Sequence, residues 1–211
     1  MPDSSPRTAR RANVDSHPLL VVISGPSGVG KDALLDVLRS RGRPYHFAIT
    51  ATTRPRRGVE MDSRDYYFLT PDRFEELAAS GELLENALVY DHRYGVPKAP
   101  VRDALASGRD VLMRTDIQGA ATIKGAVPQA VTIFLAPASL AELEERLRRR
   151  ATDSPETVRL RLDTARREMD AAGHFDHVVV NAEDHLEEAA DQVERIIAAE
   201  RARPERAAPV V

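Results

Sequence analysis

Residues 19–32 read LLVVISGPSGVGKD, and they predict both the core fold and a nucleotide site. The apolar run is typical of a buried strand, the glycines allow a tight turn, and the residues from Lys31 onward follow a helical pattern. A strand, G-x-x-x-x-G-K and a helix in this order form a phosphate-binding loop, whose backbone N–H groups face phosphate oxygens. We therefore predict an ATP site lined by Gly25, Pro26, Ser27, Gly28, Val29, Gly30, Lys31 and Asp32.

Asp32 departs from the usual form of this motif, in which a Ser or Thr follows the lysine and ligates Mg²⁺. Magnesium also accepts carboxylate oxygen, directly or through water. The sequence therefore predicts that Asp32 serves as a metal ligand, although it brings an extra negative charge close to the phosphates. An aspartate in the first turn of a helix is also favoured by the helix dipole alone.

The composition indicates an ordinary globular protein without cysteine chemistry. The chain has 211 residues, of which 42% are hydrophobic and 30% charged, with a net charge of −3 and no cysteine. This charge gives no reason to expect nucleic acid or an acidic membrane as a partner, and no apolar run is long enough to cross a bilayer. Since residues 1–17 lack the apolar core of a signal peptide, we expect a cytoplasmic location.

Short apolar runs alternate with helical patterns, which predicts an α/β fold with a parallel five-stranded core sheet wrapped by helices. The predicted strands are 19–24, 46–50, 110–115, 130–135 and 177–180. The predicted helices are 31–41, 97–107, 117–125, 139–149, 156–172 and 184–201. One domain over residues 18–200 is expected, with disordered tails at 1–17 and 201–211.

Residues 51–96 interrupt this alternation and predict a small inserted α+β subdomain. They contain a basic turn, an aromatic strand at 65–68, a helix at 71–80 and a strand at 83–90. Insertions beside a nucleotide site commonly carry the second substrate. The core is accordingly expected to comprise residues 18–50 and 97–200.

Two features of the insertion suggest chemistry. The turn at 50–57, TATTRPRR, combines hydroxyls with guanidinium groups, which suit bidentate phosphate binding, although such a charge run is often only a solvated loop. Glu85 lies inside the apolar stretch LLENAL and is either an outward-facing strand residue or a recognition group. Guanine has two adjacent donors, N1–H and the 2-amino group, which one carboxylate can accept together.

Over about residues 19–200 the chain resembles guanylate kinases. The matching stretches are 24–28 (SGPSG), 51–55 (ATTRP), 65–68 (DYYF), 81–85 (GELLE), 116–120 (DIQGA) and 178–181 (VVVN). The resemblance implies Mg²⁺-dependent transfer of the ATP γ-phosphoryl group to GMP or dGMP, by a monomer or homodimer whose partners are these small molecules.

The resemblance also implies roles for individual residues. The acceptor nucleotide would be bound by Thr50, Arg54, Arg57, Tyr66, Glu85, Tyr94 and Asp116, with Thr50 and Glu85 at the guanine. Arg146 and Asn181 would contact ATP. A mobile lid at about 148–162 would supply Arg150 and Arg161, which act in catalysis with Lys31 and Arg54.

Three residues depart from the common guanylate kinase pattern: Asp32, Val96 in place of a Ser or Thr, and Arg114 in place of an acidic residue. Together they resemble the plant organellar branch of the family and its bacterial relatives, although Tyr94 follows the common pattern instead. We therefore expect an active enzyme with a variant metal environment. Loss of the hydroxyl at Val96 is also expected to weaken the selection of GMP over IMP or AMP.

Two other functions remain open at this point. A phosphate-loop kinase for ribose bisphosphate can share the Lys-Asp ending of the loop, but it is not expected to combine the Thr-Thr-Arg turn with Glu85. A non-catalytic guanylate-kinase-like binding module typically loses the phosphate loop, whereas Lys31 is present here.

Overall fold

A computed structural model describes residues 17–89, 91–149, 155–204 and 206–211. Its strands are β1 (Leu20–Ser24), β2 (His46–Phe47), β3 (Ala51–Thr52), β4 (Tyr67–Phe68), β5 (Leu83–Val89), β6 (His92–Pro97), β7 (Val111–Arg114), β8 (Val131–Pro137) and β9 (His177–Asn181). Its α-helices are α1 (Lys31–Ser40), α2 (Pro71–Ala79), α3 (Lys98–Ala106), α4 (Ile117–Ala126), α5 (Leu140–Arg149), α6 (Pro155–Asp170) and α7 (Leu186–Arg201), and a 3-10 turn covers Ala171–His174.

β1 is the central strand of the predicted five-stranded sheet, whose order is β2-β7-β1-β8-β9. All of its neighbouring strands run parallel, with Leu20 opposite Val111 and Val21 opposite Val131. The prediction of a parallel α/β core is therefore confirmed. β1 lies in the middle of this sheet, and the phosphate-binding loop begins at its carboxyl end. Folds of this type bind ligands beyond the carboxyl ends of their strands.

Alternating side chains of β1 fill two separate cores, one on each face of the sheet. Val21 and Ile23 pack in a buried cluster with residues of α1 and α7. Leu20 and Val22 pack in a second cluster with residues of α3 and α4. Burial on both faces explains the continuous apolar sequence of this strand.

The insertion forms a second, four-stranded sheet with the order β4-β3-β6-β5. The sequence prediction was wrong in omitting β3 and β6, and β2 is shorter than predicted because the chain leaves the core sheet after Phe47. Gly95 and Pro97 disfavour a strand locally, but antiparallel pairing with β5 overrides this preference. A Cβ on Gly95 would lie 2.8 Å from the Glu85 carbonyl oxygen, so this close pairing requires glycine.

The predicted lid at about 148–162 comprises the end of α5 and the first half of α6. These two helices pack against each other through Leu143 and Leu147 on one side and Val158, Leu162 and Ala165 on the other. Residues 150–154 of the predicted lid, including the predicted catalytic residue Arg150, lie outside the described part of the chain. Arg161 lies on α6.

The segment that composition predicts to be a disordered C-terminal tail contacts the core at several points. Arg206 pairs with the buried Glu200 and donates to the Gln129 carbonyl oxygen at 2.5 Å. Arg102 donates to the Val211 carbonyl oxygen at 2.9 Å. Composition does not reveal these contacts because they depend on carboxylates and carbonyls brought together by the fold. In the part of the chain that the structure describes, no helix combines the length and hydropathy required to span a bilayer.

Candidate functional site

The phosphate-binding loop curls through three glycines with positive φ: Gly25 at 146°, Gly28 at 88° and Gly30 at 100°. Gly30 caps α1, so the N-terminus of this helix points into the loop. The Lys31 ammonium donates to the carbonyl oxygens of Gly25 and Pro26 at 2.5 and 3.0 Å. The lysine is thereby held beside the position that phosphate oxygens occupy in such a loop.

Gly25→Ala is expected to lower the free energy of unfolding by about 3 kcal/mol or more, measured by urea denaturation. A Cβ at this position would lie 2.2 Å from the Leu135 carbonyl oxygen, and that oxygen belongs to the rigid β8 backbone. Gly42→Ala is the matched control, since Gly42 also has a positive φ (66°) but no heavy atom of the described residues lies within 4 Å of its Cβ position. This control should cost only about 1–2 kcal/mol, and equal costs for the two variants would contradict the proposed clash.

Burial and the neighbouring carboxylates shift the pKa of Lys31 in opposite directions. Burial lowers its pKa to about 8, although Glu168 and Asp32 oppose the shift. Glu168, on α6, accepts a hydrogen bond from the Ser27 backbone N–H, and burial raises the pKa of its carboxyl group. Sequence reasoning missed Glu168 because nothing in its local pattern indicates that α6 folds back onto the loop.

Asn181 and Arg146, both predicted to contact ATP, meet on the other side of the loop. Asn181 Nδ2 donates to the Val29 carbonyl oxygen at 2.7 Å, and Arg146 donates to the same oxygen at 3.2 Å and to the Asn181 carbonyl oxygen at 2.9 Å. Asn181 Oδ1 is buried and accepts no hydrogen bond from the described residues. A buried acceptor of this kind can receive a donor from a ligand.

The insertion brings Arg54, Tyr66 and Tyr94 together. The Arg54 guanidinium lies 5.0 Å from the centre of the Tyr66 ring, and the two tyrosine rings are 6.3 Å apart in an edge-to-face arrangement. Arg54 is buried because it stacks on this aromatic surface. Arg54 of the basic turn, Tyr66 just before β4 and Tyr94 of β6 therefore form one cluster, and all three were predicted to bind the acceptor phosphate.

Glu60 orients the basic turn, a role that sequence reasoning did not identify. Both of its oxygens contact the Arg54 guanidinium, at 2.7 and 2.8 Å, and one also accepts the Arg57 backbone N–H at 2.8 Å. These hydrogen bonds, chiefly that from Arg54, lower the pKa of Glu60 to about 2. Glu60 is therefore ionised at neutral pH and fixes Arg54 bidentately.

Glu85 and Asp116 are close enough for their charges to interact. Glu85, on β5, is only 8% exposed, and burial with the nearby Asp116 charge raises its pKa to about 7. Asp116 caps α4 by accepting the Gly119 backbone N–H at 2.7 Å. Thr50 lies immediately before β3 and accepts the Tyr67 N–H through its carbonyl oxygen. Val96 is 2% exposed and packs into the core beside Leu84, so its side chain is a core group.

Asp32 and Arg114, two of the three residues that depart from the common pattern, form an ion pair between Oδ1 and Nε. Among the described residues, no cluster of three or more His, Cys, Asp or Glu side chains could hold a metal ion. Mg²⁺ does not require such a cluster, since it commonly binds one or two carboxylates together with phosphates and water. The exposed carboxylate of Asp32 fits this mode of binding.

Comparison with known proteins shows which family the chain resembles. The family model described as guanylate kinase matches residues 17–200. The chain is 46% identical over 188 residues to "Guanylate kinase 2, chloroplastic/mitochondrial" of Oryza sativa subsp. japonica, covering 89% of this chain and 66% of that protein. It is 48% identical to "Guanylate kinase" of Gloeobacter violaceus, covering 86% and 88%. The crystal structure of guanylate kinase from Anaplasma phagocytophilum matches with a TM-score of 0.71 and 33% identity, covering 93% of this chain and 92% of that one.

Proposed function

The chain belongs to the guanylate kinase family, and we infer that it transfers the γ-phosphoryl group of ATP to GMP or dGMP. The observation that carries this inference is the buried carboxylate of Glu85 in the insertion. Glu85 belongs to the insertion that also brings Arg54, Tyr66 and Tyr94 together. The charge of Asp116 raises the pKa of Glu85 and also acts on Lys31 of the phosphate-binding loop. Asp116 thus lies within electrostatic reach of both the proposed guanine carboxylate and the lysine of the phosphate-binding loop, which supports a guanine site beside the ATP site.

The reaction requires positioning and neutralisation of charge rather than a general base. The phosphate monoester of GMP is already ionised near neutral pH, so its oxygen can attack the γ-phosphorus directly while the bond to the β-phosphate oxygen breaks. Lys31 neutralises charge on the donor phosphates, and Arg54 holds the acceptor phosphate, supported by Arg57, Tyr66 and Tyr94. Closure of the lid would add Arg150 and Arg161 and exclude water that could hydrolyse ATP.

Asp32, Arg146 and Asn181 complete the proposed ATP site. When bound, Mg²⁺ neutralises charge on the β- and γ-phosphates of ATP. One oxygen of Asp32 pairs with Arg114, and we propose that the other faces the metal directly or through water. Asn181 Oδ1 is proposed to accept a hydrogen bond from ATP, with Arg146 beside it.

Asp32→Ala is expected to raise the Mg²⁺ concentration required for half-maximal activity by about fivefold to tenfold, because one oxygen ligand is lost. The measurement is a magnesium titration of GMP phosphorylation at fixed ATP concentration. Asp36→Ala is the control, since Asp36 is an exposed partner of Arg39 on the same helix. An unchanged magnesium requirement in Asp32→Ala would exclude the metal role.

The function is tested by an ATP-dependent phosphorylation assay with GMP, dGMP, IMP, AMP and ribose bisphosphate as acceptors. We expect GDP and dGDP as the main products. Turnover of ribose bisphosphate alone would indicate a kinase of another substrate class, whereas binding of GMP without turnover would indicate a non-catalytic module. A preference for GMP over IMP that stays above about a thousandfold would contradict the prediction that Val96 weakens the selection of GMP.

A cytoplasmic location and a monomeric or homodimeric state are also part of the proposal. They rest on composition and on the family resemblance. Gel filtration of the unliganded protein measures the oligomeric state directly.

A further inference from the structure

Asp32 and Arg114 are neighbours in the fold although 82 positions separate them in the chain. Asp32 lies in the first turn of α1 and Arg114 ends β7, and the two elements meet because β7 pairs with β1, placing Arg114 opposite Ile23. Their contact explains why both positions can differ together from the common guanylate kinase pattern. A carboxylate after the phosphate-loop lysine gains a cation that offsets its charge.

The ion pair also fixes the direction of the guanidinium. Arg114 Nε contacts Asp32, while Nη2 lies 3.5 Å from the Tyr66 hydroxyl, at the outer limit of hydrogen bonding. Because the guanidinium is planar, holding one edge at Asp32 directs the other edge toward Tyr66. The Asp32 side chain is 72% exposed and the Arg114 side chain 36% exposed, so ligands can reach both from solvent.

Arg114 interacts with a residue of each proposed substrate site. Its charge contributes to lowering the pKa of Lys31, which belongs to the ATP site, whereas its Nη2 atom faces Tyr66, which belongs to the acceptor site. Burial lowers the pKa of Arg114, but the Asp32 charge and Tyr66 outweigh this effect, and the guanidinium stays charged. A cation oriented by Asp32 therefore lies near residues of both proposed substrate sites.

We propose that Arg114 binds the acceptor phosphate together with Tyr66, and that Asp32 is the positioning residue that holds Arg114 in this orientation. The proposal rests on the proposed function for the identity of the acceptor, a purine nucleoside monophosphate. It adds Arg114 to the phosphate ligands that the motifs predict. It also gives Asp32 a role that does not depend on magnesium.

The test is calorimetric titration of GMP, of guanosine and of inorganic phosphate into the protein without ATP or magnesium. Arg114→Met keeps the length of the side chain but removes its charge, and it is expected to weaken GMP binding by about 10-fold to 100-fold. Guanosine affinity should stay within about twofold, because guanosine lacks the phosphate. Arg73→Met is the matched control, since Arg73 forms an exposed ion pair with Glu76 on α2.

A double-mutant cycle tests the positioning role of Asp32. Asp32→Ala alone is expected to weaken GMP binding by about threefold to tenfold, and to have little further effect in the Arg114→Met background. An unchanged GMP affinity in Arg114→Met would overturn the phosphate contact. Equal effects of Asp32→Ala in both backgrounds would overturn the positioning role.

Failure of the proposed function would give a different result from failure of the Arg114 proposal. In that case the unaltered protein would not phosphorylate GMP, whether or not it binds guanosine. The inorganic phosphate titration would still report whether Arg114 contributes to an anion site. Urea denaturation of all variants separates loss of binding from loss of fold.

Discussion

Lys31→Met is expected to lower kcat/KM for GMP phosphorylation by about 10³-fold or more, one of the two largest effects expected of a single substitution in the candidate site. The ammonium is held by the Gly25 and Pro26 carbonyl oxygens and is the positively charged side chain of the loop. Methionine preserves the length and apolar stem of the side chain but carries no charge. The variant should therefore fold normally and fail to stabilise charge on the transferred group.

Two further variants make this result specific. Lys31→Arg should not restore activity, since the forked guanidinium does not fit a space shaped for a compact ammonium. Lys124→Met is the matched lysine control, because Lys124 lies in the last turn of α4 and pairs with Asp176, at the opposite end of that helix from Asp116. The control should keep its activity per folded molecule, and an equal loss in both lysine variants would contradict the argument.

The pH dependence gives an independent measurement of the same residue. Because the pKa of Lys31 is lowered to about 8, its charge is present below this pH and is lost as the pH rises through it. We expect kcat/KM for ATP to fall above about pH 8, since this parameter reports groups of the enzyme before ATP binds. Bound ATP phosphates favour the protonated lysine, so the alkaline limb of kcat should lie at higher pH.

The core fold and the ATP loop could be predicted from sequence because their signals are local. The apolar run of β1, the glycines and the helical spacing of α1 lie within 20 consecutive residues and agree with one another. β6 could not be predicted in this way, since Gly95 and Pro97 argue against a strand and only pairing with β5 explains it. A strand stabilised by its partner leaves a weak signal in its own sequence.

The residues of the candidate site likewise comprise some that sequence motifs identify and others that only their contacts in the fold reveal. Arg54, Tyr66 and Tyr94 were identified through family motifs, and the structure brings them together. Glu60 and Glu168 were not identified, because their importance comes from contacts with Arg54 and with the Ser27 N–H. Charged residues on loops and helix faces are common, and sequence alone does not distinguish a solvated carboxylate from one that orients a site.

Glu85→Gln is expected to lower kcat/KM for GMP by about 10²-fold to 10⁴-fold and to reduce the preference for GMP over IMP. The Glu85 carboxylate can accept both N1–H and the 2-amino group of guanine, whereas glutamine offers one acceptor oxygen and places an NH₂ donor against a donor of the base. IMP lacks the 2-amino group, so it loses less in the variant. The measurement is steady-state kinetics with both nucleotides.

Protonation of Glu85 supplies the second part of this prediction. Because burial raises its pKa to about 7, the carboxylate needed for guanine is lost as the pH falls through this value, and kcat/KM should decrease about tenfold for each pH unit below it. Glu85→Gln should abolish this acid limb, whereas Glu82→Gln, which removes an exposed partner of Arg102, should retain it. The fold disfavours the ionised form of Glu85, so the glutamine variant should be at least as resistant to urea at pH 8 as the unaltered protein. An acid limb that persists in Glu85→Gln would assign the titration to another group and remove Glu85 from guanine recognition.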